Sequence, residues 1–142
     1  MLRKLCVIGL AITVAIAVVA EENKTEIKHT AAPATSPASG KDMFVNYCAS
    51  CHGADAKGNG PAAAALNAAP ADLTMLAKKN GGKFPDARVT AVLRGQASVA
   101  AHGSQEMPVW GPIFWHMSQG HPVEVQQRIA NLSSYIKSLQ GK

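Results

Sequence analysis

Two cysteines two residues apart, Cys48 and Cys51, are followed at once by His52. No other short stretch constrains the fold as tightly. Thiols at this spacing, carried on one tight helical turn, reach the vinyl groups along one edge of a porphyrin. The next residue then lies beneath the iron and supplies an imidazole ligand. Three other readings compete. A dithiol redox pair uses the same C-x-x-C but expects a βαβ context, and no such pattern is nearby. A zinc site needs four ligands, and no second Cys or paired His group stands at zinc-finger spacing. Chance is the third. The favoured expectation is one haem c, bound covalently through Cys48 and Cys51.

Composition supports a bound macrocycle. A chain of 142 residues allows one domain. It carries only two Trp, two Tyr and three Phe, so a side-chain core for about 100 residues would be thin, and small domains often need a staple. Residues 1–20 read as an export signal. Arg3 and Lys4 make a short positive start, an apolar run extends from Leu5 to Val19, and Val18-Val19-Ala20 resembles a cleavage site before Glu21. The run is shorter than the ~20 residues of a spanning helix. Cleavage is therefore expected, with an uncleaved membrane anchor as the alternative. Cleavage would remove Cys6 and leave only the two motif cysteines.

The expected location is periplasmic or otherwise exported, an oxidising setting in which no structural disulfide remains to be made. Formal charge falls from +5 to +3 once Arg3 and Lys4 leave. That is mild enough for either an acidic docking partner or a merely soluble surface. No basic run is interleaved with aromatics, which argues against nucleic-acid binding.

Residues 21–39 are rich in Glu, Lys, Ala, Thr, Ser and Pro and read as a flexible linker, with His29 solvated in it. The domain is expected over 40–142. Met43, Phe44 and Tyr47 fall at helical spacing over 41–49, leading into the motif. Gly53, Gly58, Asn59 and Gly60 mark a loop. Pro61 and the alanines after it predict a short helix over 61–67. Asp72 is a capping signal for a helix through about Lys79, and Asp86 for one over 87–94, closed by Gly95. Residues 96–119, with Gly103, Pro108, Gly111 and Pro112, read mostly as loop. They also hold the aromatic cluster Trp110, Phe114 and Trp115. Over 123–139, Val125, Ile129, Leu132, Ile136 and Leu139 form one continuous helical stripe. No alternating run is long enough for a strand, so the chain reads as all-α.

The iron's second face decides the chemistry. Candidates are Met43, Met75, Met107, Met117, His102, His116 and His121. Met43 stands too close upstream of Cys48 to reach the far side, and Met75 reads as helical core. Met107 precedes Pro108, which fixes the loop's direction, and lies beside the aromatic cluster. It is the favoured ligand. With both axial positions filled by protein, no site is left for oxygen or peroxide, and the thioether favours reduced iron. Outer-sphere electron transfer through an exposed haem edge follows.

These residues together resemble the class I cytochromes c, specifically small exported bacterial monohaem ones, over about residues 40–140. Gly40 and Phe44 stand eight and four residues before Cys48, where that family places the contacts of its first helix. Leu132 and Tyr135 match the positions on the last helix that pack against them. Pro70 resembles the family proline whose carbonyl accepts a hydrogen bond from the proximal histidine. The stretch Met107-Pro108-Val109-Trp110-Gly111 looks like the axial-methionine loop, with Trp110 beside the haem. The resemblance implies a cytochrome c fold of three to five helices with long loops wrapped around the haem.

It also implies a one-electron carrier, not an enzyme, working with respiratory partners such as a respiratory complex, a terminal oxidase or a dehydrogenase. No catalytic residue is assigned, and the membrane is a partner only if residues 1–20 persist. A haem enzyme or sensor with a labile sixth site stays open, as does an electron-entry subunit of a larger oxidoreductase. Residues 112–122 are longer than in minimal members. They read as an insertion, a shield for the haem edge or a docking surface.

Overall fold

The computed structural model describes residues 32–97 and 107–141. The expected export segment, His29 and His102 lie outside the described residues. The described chain is all-helical, with no strand among those residues. Its elements are α1 (Gly40–Met43), α2 (Ala49–His52), α3 (Leu76–Lys79), α4 (Asp86–Arg94), α5 (Trp110–Met117) and α6 (Pro122–Ser138), with short 3-10 turns at Ala63–Ala65 and Leu73–Met75.

Segments α1 and α2 are joined without a break by a π turn, Phe44–Cys48. Ser39 caps the start, its hydroxyl accepting from the Asp42 amide. The wider turn runs through the first motif cysteine, where the Ala49 N–H reaches the Phe44 carbonyl. Such turns are frequent at functional positions. Here it leaves Phe44, Tyr47 and Cys48 all buried.

Helix α6 carries the core. Its stripe buries Val125, Ile129, Leu132 and Ile136, each worth about 1.5–3 kcal/mol relative to exposure. Pro122 sits in its first turn, where no intrahelical donor is lost. Helix α1 crosses α6 at Gly40. A Cβ built there would overlap the Asn131 carbonyl and lie 2.9 Å from the Tyr135 Cβ. That closeness seats Phe44 on Tyr135, with ring centroids 5.4 Å apart, and both Phe44 and Leu132 are fully buried.

Several expectations are corrected. The alanines of 61–67 make only the single turn Ala63–Ala65. Asp86 is the first residue of α4 rather than its cap, and Pro85 holds the capping position without a side-chain bond. Asp86 pairs instead with Lys137 at 3.0 Å. Within 96–119, residues 110–117 are helix, not loop. Pro112 is tolerated because it falls in the first turn, and burial of Trp110 and Phe114, four residues apart, drives the helix against the core. The linker reading fails at its end, because Pro33, Thr35 and Pro37 are tied to the domain by hydrogen bonds. Met75 is half-buried and lies outside the core cluster, contrary to the core reading.

Candidate functional site

The loop after the motif folds back on it. The carbonyls of Ser50, Cys51 and His52 accept from the amides of Ala62, Gly60 and Gly58 at 2.9, 3.0 and 2.7 Å. These acceptors would otherwise be orphaned at a helix end. Gly60 is required by the approach, since a Cβ there would lie 2.6 Å from the Ala49 carbonyl oxygen. The helical turn bearing Cys48, Cys51 and His52 is thus clamped from outside.

His52 is buried. Its Nδ1–H donates to a backbone carbonyl at 3.0 Å, and that carbonyl belongs to Ala71, not Pro70. The Pro70 carbonyl instead packs over Gly58, where a Cβ would meet it. With the proton fixed on Nδ1, Nε2 carries the lone pair a metal takes. The Ala71 carbonyl is held by its neighbours. Asp72 accepts from the Thr74 amide and hydroxyl at 2.9 and 2.6 Å. The Thr74 hydroxyl, more than its amide, holds the Asp72 carboxyl below the usual carboxylate range, against the opposing effect of burial. Gln140 then ties the same turn to the C-terminus, accepting from the Ala77 amide and donating to the Leu73 carbonyl.

Two adjoining cavities share Cys48, His52 and Met107 in their walls. The larger, about 380 Å³, runs inward past Leu73, Leu76, Val89, Val92 and Leu93 to Ile136 of α6. Its polar lining comes from Asp72, Lys79, Asn80 and Arg88. The smaller is walled by Tyr47, Cys51, Leu66, Ala68, Pro70, Pro108 and Trp110. Pro70 and Trp110 therefore both lie at the site, Pro70 as a wall rather than as the histidine's acceptor. Trp110 stacks on Tyr47, with centroids 5.1 Å apart and planes 27° from parallel.

Among the described candidates for the far ligand, Met107 alone lines these cavities. Met43 is wholly buried core, Met117 packs at the core's margin, and His116 and His121 are exposed.

Cys48 and Cys51 are unbridged. Burial first, and Cys51 nearby second, push the Cys48 thiol up to about 12. Among the described residues, no group of three or more His, Cys, Asp or Glu is placed to hold a metal ion. The residues present fit a covalently attached haem. Two sulfurs and a tautomerically fixed imidazole border the two adjoining, mostly apolar cavities, and the larger also carries Asp72, Lys79, Asn80 and Arg88 in its lining.

Sequence reasoning missed Tyr47 and the Ala71 carbonyl. Adjacency to Cys48 was a signal for Tyr47. A backbone acceptor has none, because any residue supplies one. Val89, Val92 and Leu93 stand at i, i+3 and i+4, the spacing of a helical face, though nothing local marks that face as a cavity wall.

The cytochrome c family model matches residues 37–140. Comparison with curated proteins and with solved structures returns no match.

Proposed function

The chain belongs to the cytochrome c family, a haem-binding electron-transfer protein, and we propose that it is a one-electron carrier with its iron held between His52 and Met107. The observation that carries this reading is the shared wall: Cys48, His52 and Met107 border both cavities.

When bound, the haem supplies a one-electron couple at iron. The chain's residues do the rest. Cys48 and Cys51 fix the group through thioether bonds. His52 presents Nε2 because Ala71 occupies Nδ1–H. Met107 supplies a thioether, a soft ligand that favours the reduced state. Lys79, Asn80 and Arg88 offer donors suited to the haem's carboxylates. The apolar lining excludes water and keeps the electrostatic cost of changing the iron's charge within the protein.

The partners in this proposal are respiratory redox proteins, and the working compartment is outside the cytoplasm, on the strength of Arg3, Lys4 and the apolar run after them. Among the described residues no helix is long and apolar enough to cross a membrane.

Carbon monoxide tests the carrier reading. The reduced protein is expected to take up the gas only slowly while still passing electrons to ferricyanide. Rapid formation of a carbonyl adduct would move the enzyme or sensor reading to the front.

A further inference from the structure

Residues 33–37 precede α1, yet they are bonded both to Tyr47, next to Cys48, and to Arg128 and Asn131 of α6. The Tyr47 hydroxyl donates to the Pro33 carbonyl at 2.7 Å. Thr35 Oγ1 lies 2.7 Å from the same phenol oxygen. Arg128 Nη1 donates to Thr35 Oγ1 at 3.2 Å and to the Thr35 carbonyl at 3.0 Å. Asn131 Nδ2 donates to the Pro37 carbonyl at 2.9 Å.

Each hydroxyl has one proton to give. Tyr47 spends its proton on Pro33, so Thr35 must donate to Tyr47, and Arg128 supplies Thr35. The result is a one-way relay from a guanidinium, through two hydroxyls, to a backbone carbonyl. Arg128 is only 5 % exposed. Its charge is answered by Glu124 at 2.9 Å, and its Nε also reaches the Ser118 hydroxyl, just past the end of α5. Such chains strengthen when complete and are costly when broken in low dielectric.

The far side of Tyr47 faces the haem site. Its ring lines the smaller cavity beside Met107 and Pro108 and stacks on Trp110, three residues past Met107. It also meets Phe114 of α5, at 6.1 Å between centroids. A phenylalanine would pack in the same way, so the hydroxyl's added role lies in the relay.

We propose that residues 33–37 form a strap that works as part of the haem site. Through Thr35 and Arg128 the strap fixes the Tyr47–Trp110 wall, and the wall holds the Met107 loop against the iron. Thr35, Tyr47 and Arg128 are positioning residues in this account. The inference rests on the His52–Met107 reading above for its consequence at iron, and on the hydrogen-bond geometry for the strap itself.

The test uses the full-length haem-loaded protein with Thr35→Val and Tyr47→Phe, which keep shape and remove one hydroxyl each. Loss of one net hydrogen bond corresponds to about a tenfold shift in the loop-opening equilibrium. Carbon monoxide is therefore expected to bind the reduced variants about tenfold faster than the parent. The weak iron–sulfur band of the oxidised form should fade in part, and amide exchange over residues 107–117 should rise. Thr35→Ser, which keeps the hydroxyl, should restore all three.

Parent-like carbon monoxide kinetics, band and exchange in both valine and phenylalanine variants would overturn the strap. So would a rise in exchange confined to residues 33–39. Should the parent itself lack the iron–sulfur band, the Met107 reading fails, and exchange over 107–117 still decides the strap: raised exchange supports it and unchanged exchange overturns it.

Discussion

Replacing Met107 with alanine is expected to lower the reduction potential by on the order of 0.2 V, a fraction of the ~0.8 V over which axial ligands set haem potentials. The direction follows from the ligand. A thioether stabilises reduced iron, and water or a vacant position does so less. The variant should also bind carbon monoxide rapidly, where the parent takes it up only slowly. Secondary structure should survive, because Met107 borders the cavities and only packs against the core from its margin. Redox titration followed by far-UV dichroism checks both halves. An unchanged potential with an intact fold would remove Met107 from the iron.

Gly40→Ala is expected to destabilise the protein by about 2–3 kcal/mol, as overpacking against unyielding atoms does. The sign is informative. At an exposed helical position, alanine in place of glycine stabilises by roughly 1 kcal/mol. Here the added methyl would meet the Asn131 carbonyl, 2.7 Å from its carbon, and the Tyr135 Cβ at 2.9 Å. The Asn131 atoms are backbone and Tyr135 Cβ is fixed to it, so no rotamer change relieves the clash. Helix α1 would have to back away from α6, lifting Phe44 off Tyr135 and opening the turn that leads into Cys48. For a domain of this size each kcal/mol lowers Tm by about 4–8 °C, so a fall of more than about 8 °C is the expected reading in a thermal melt. A rise in Tm would mean that the α1–α6 crossing is looser than described.

The parts of the fold with local signatures were legible. The motif is a fixed spacing. The α6 stripe repeats over four turns and is buried along one face. Asp72 caps the turn that follows it, as its position suggests. The Gly40 and Phe44 contacts with α6 followed from a family resemblance and are present.

What stayed hidden depended on distant atoms. Helix α5 begins Trp-Gly-Pro, which reads as a turn, and it forms because Trp110 and Phe114 find the core. Residues 33–37 are polar and proline-bearing, and besides Tyr47 their bonds go to Arg128 and Asn131, more than ninety positions away. Composition alone reads such a segment as solvated. The histidine's acceptor shifted by one residue, from Pro70 to Ala71, because loop register has no side-chain marker. The alanines of 61–67 favour helix by propensity, but Leu66 and Ala68 are used as cavity wall, and tertiary demand overrides so weak a preference.

Residues 112–122 are part of this structure rather than a loose excursion. Phe114 is wholly buried and Ser118 bonds to Glu124 and Arg128. Those bonds, Arg128 first, hold the Glu124 carboxyl below its ordinary range. Trp115, 48 % exposed, is the apolar residue this stretch leaves facing outward.

Ligation of the iron by Met107 is tested most directly by the absorption spectrum of the oxidised, haem-loaded protein at its red end, where a weak band reports an iron–sulfur bond. The band is expected in the parent and is expected to be absent from Met107→Ala. A parent without it would have no Met107–iron bond, leaving the far face of the iron to a histidine or to no protein ligand at all.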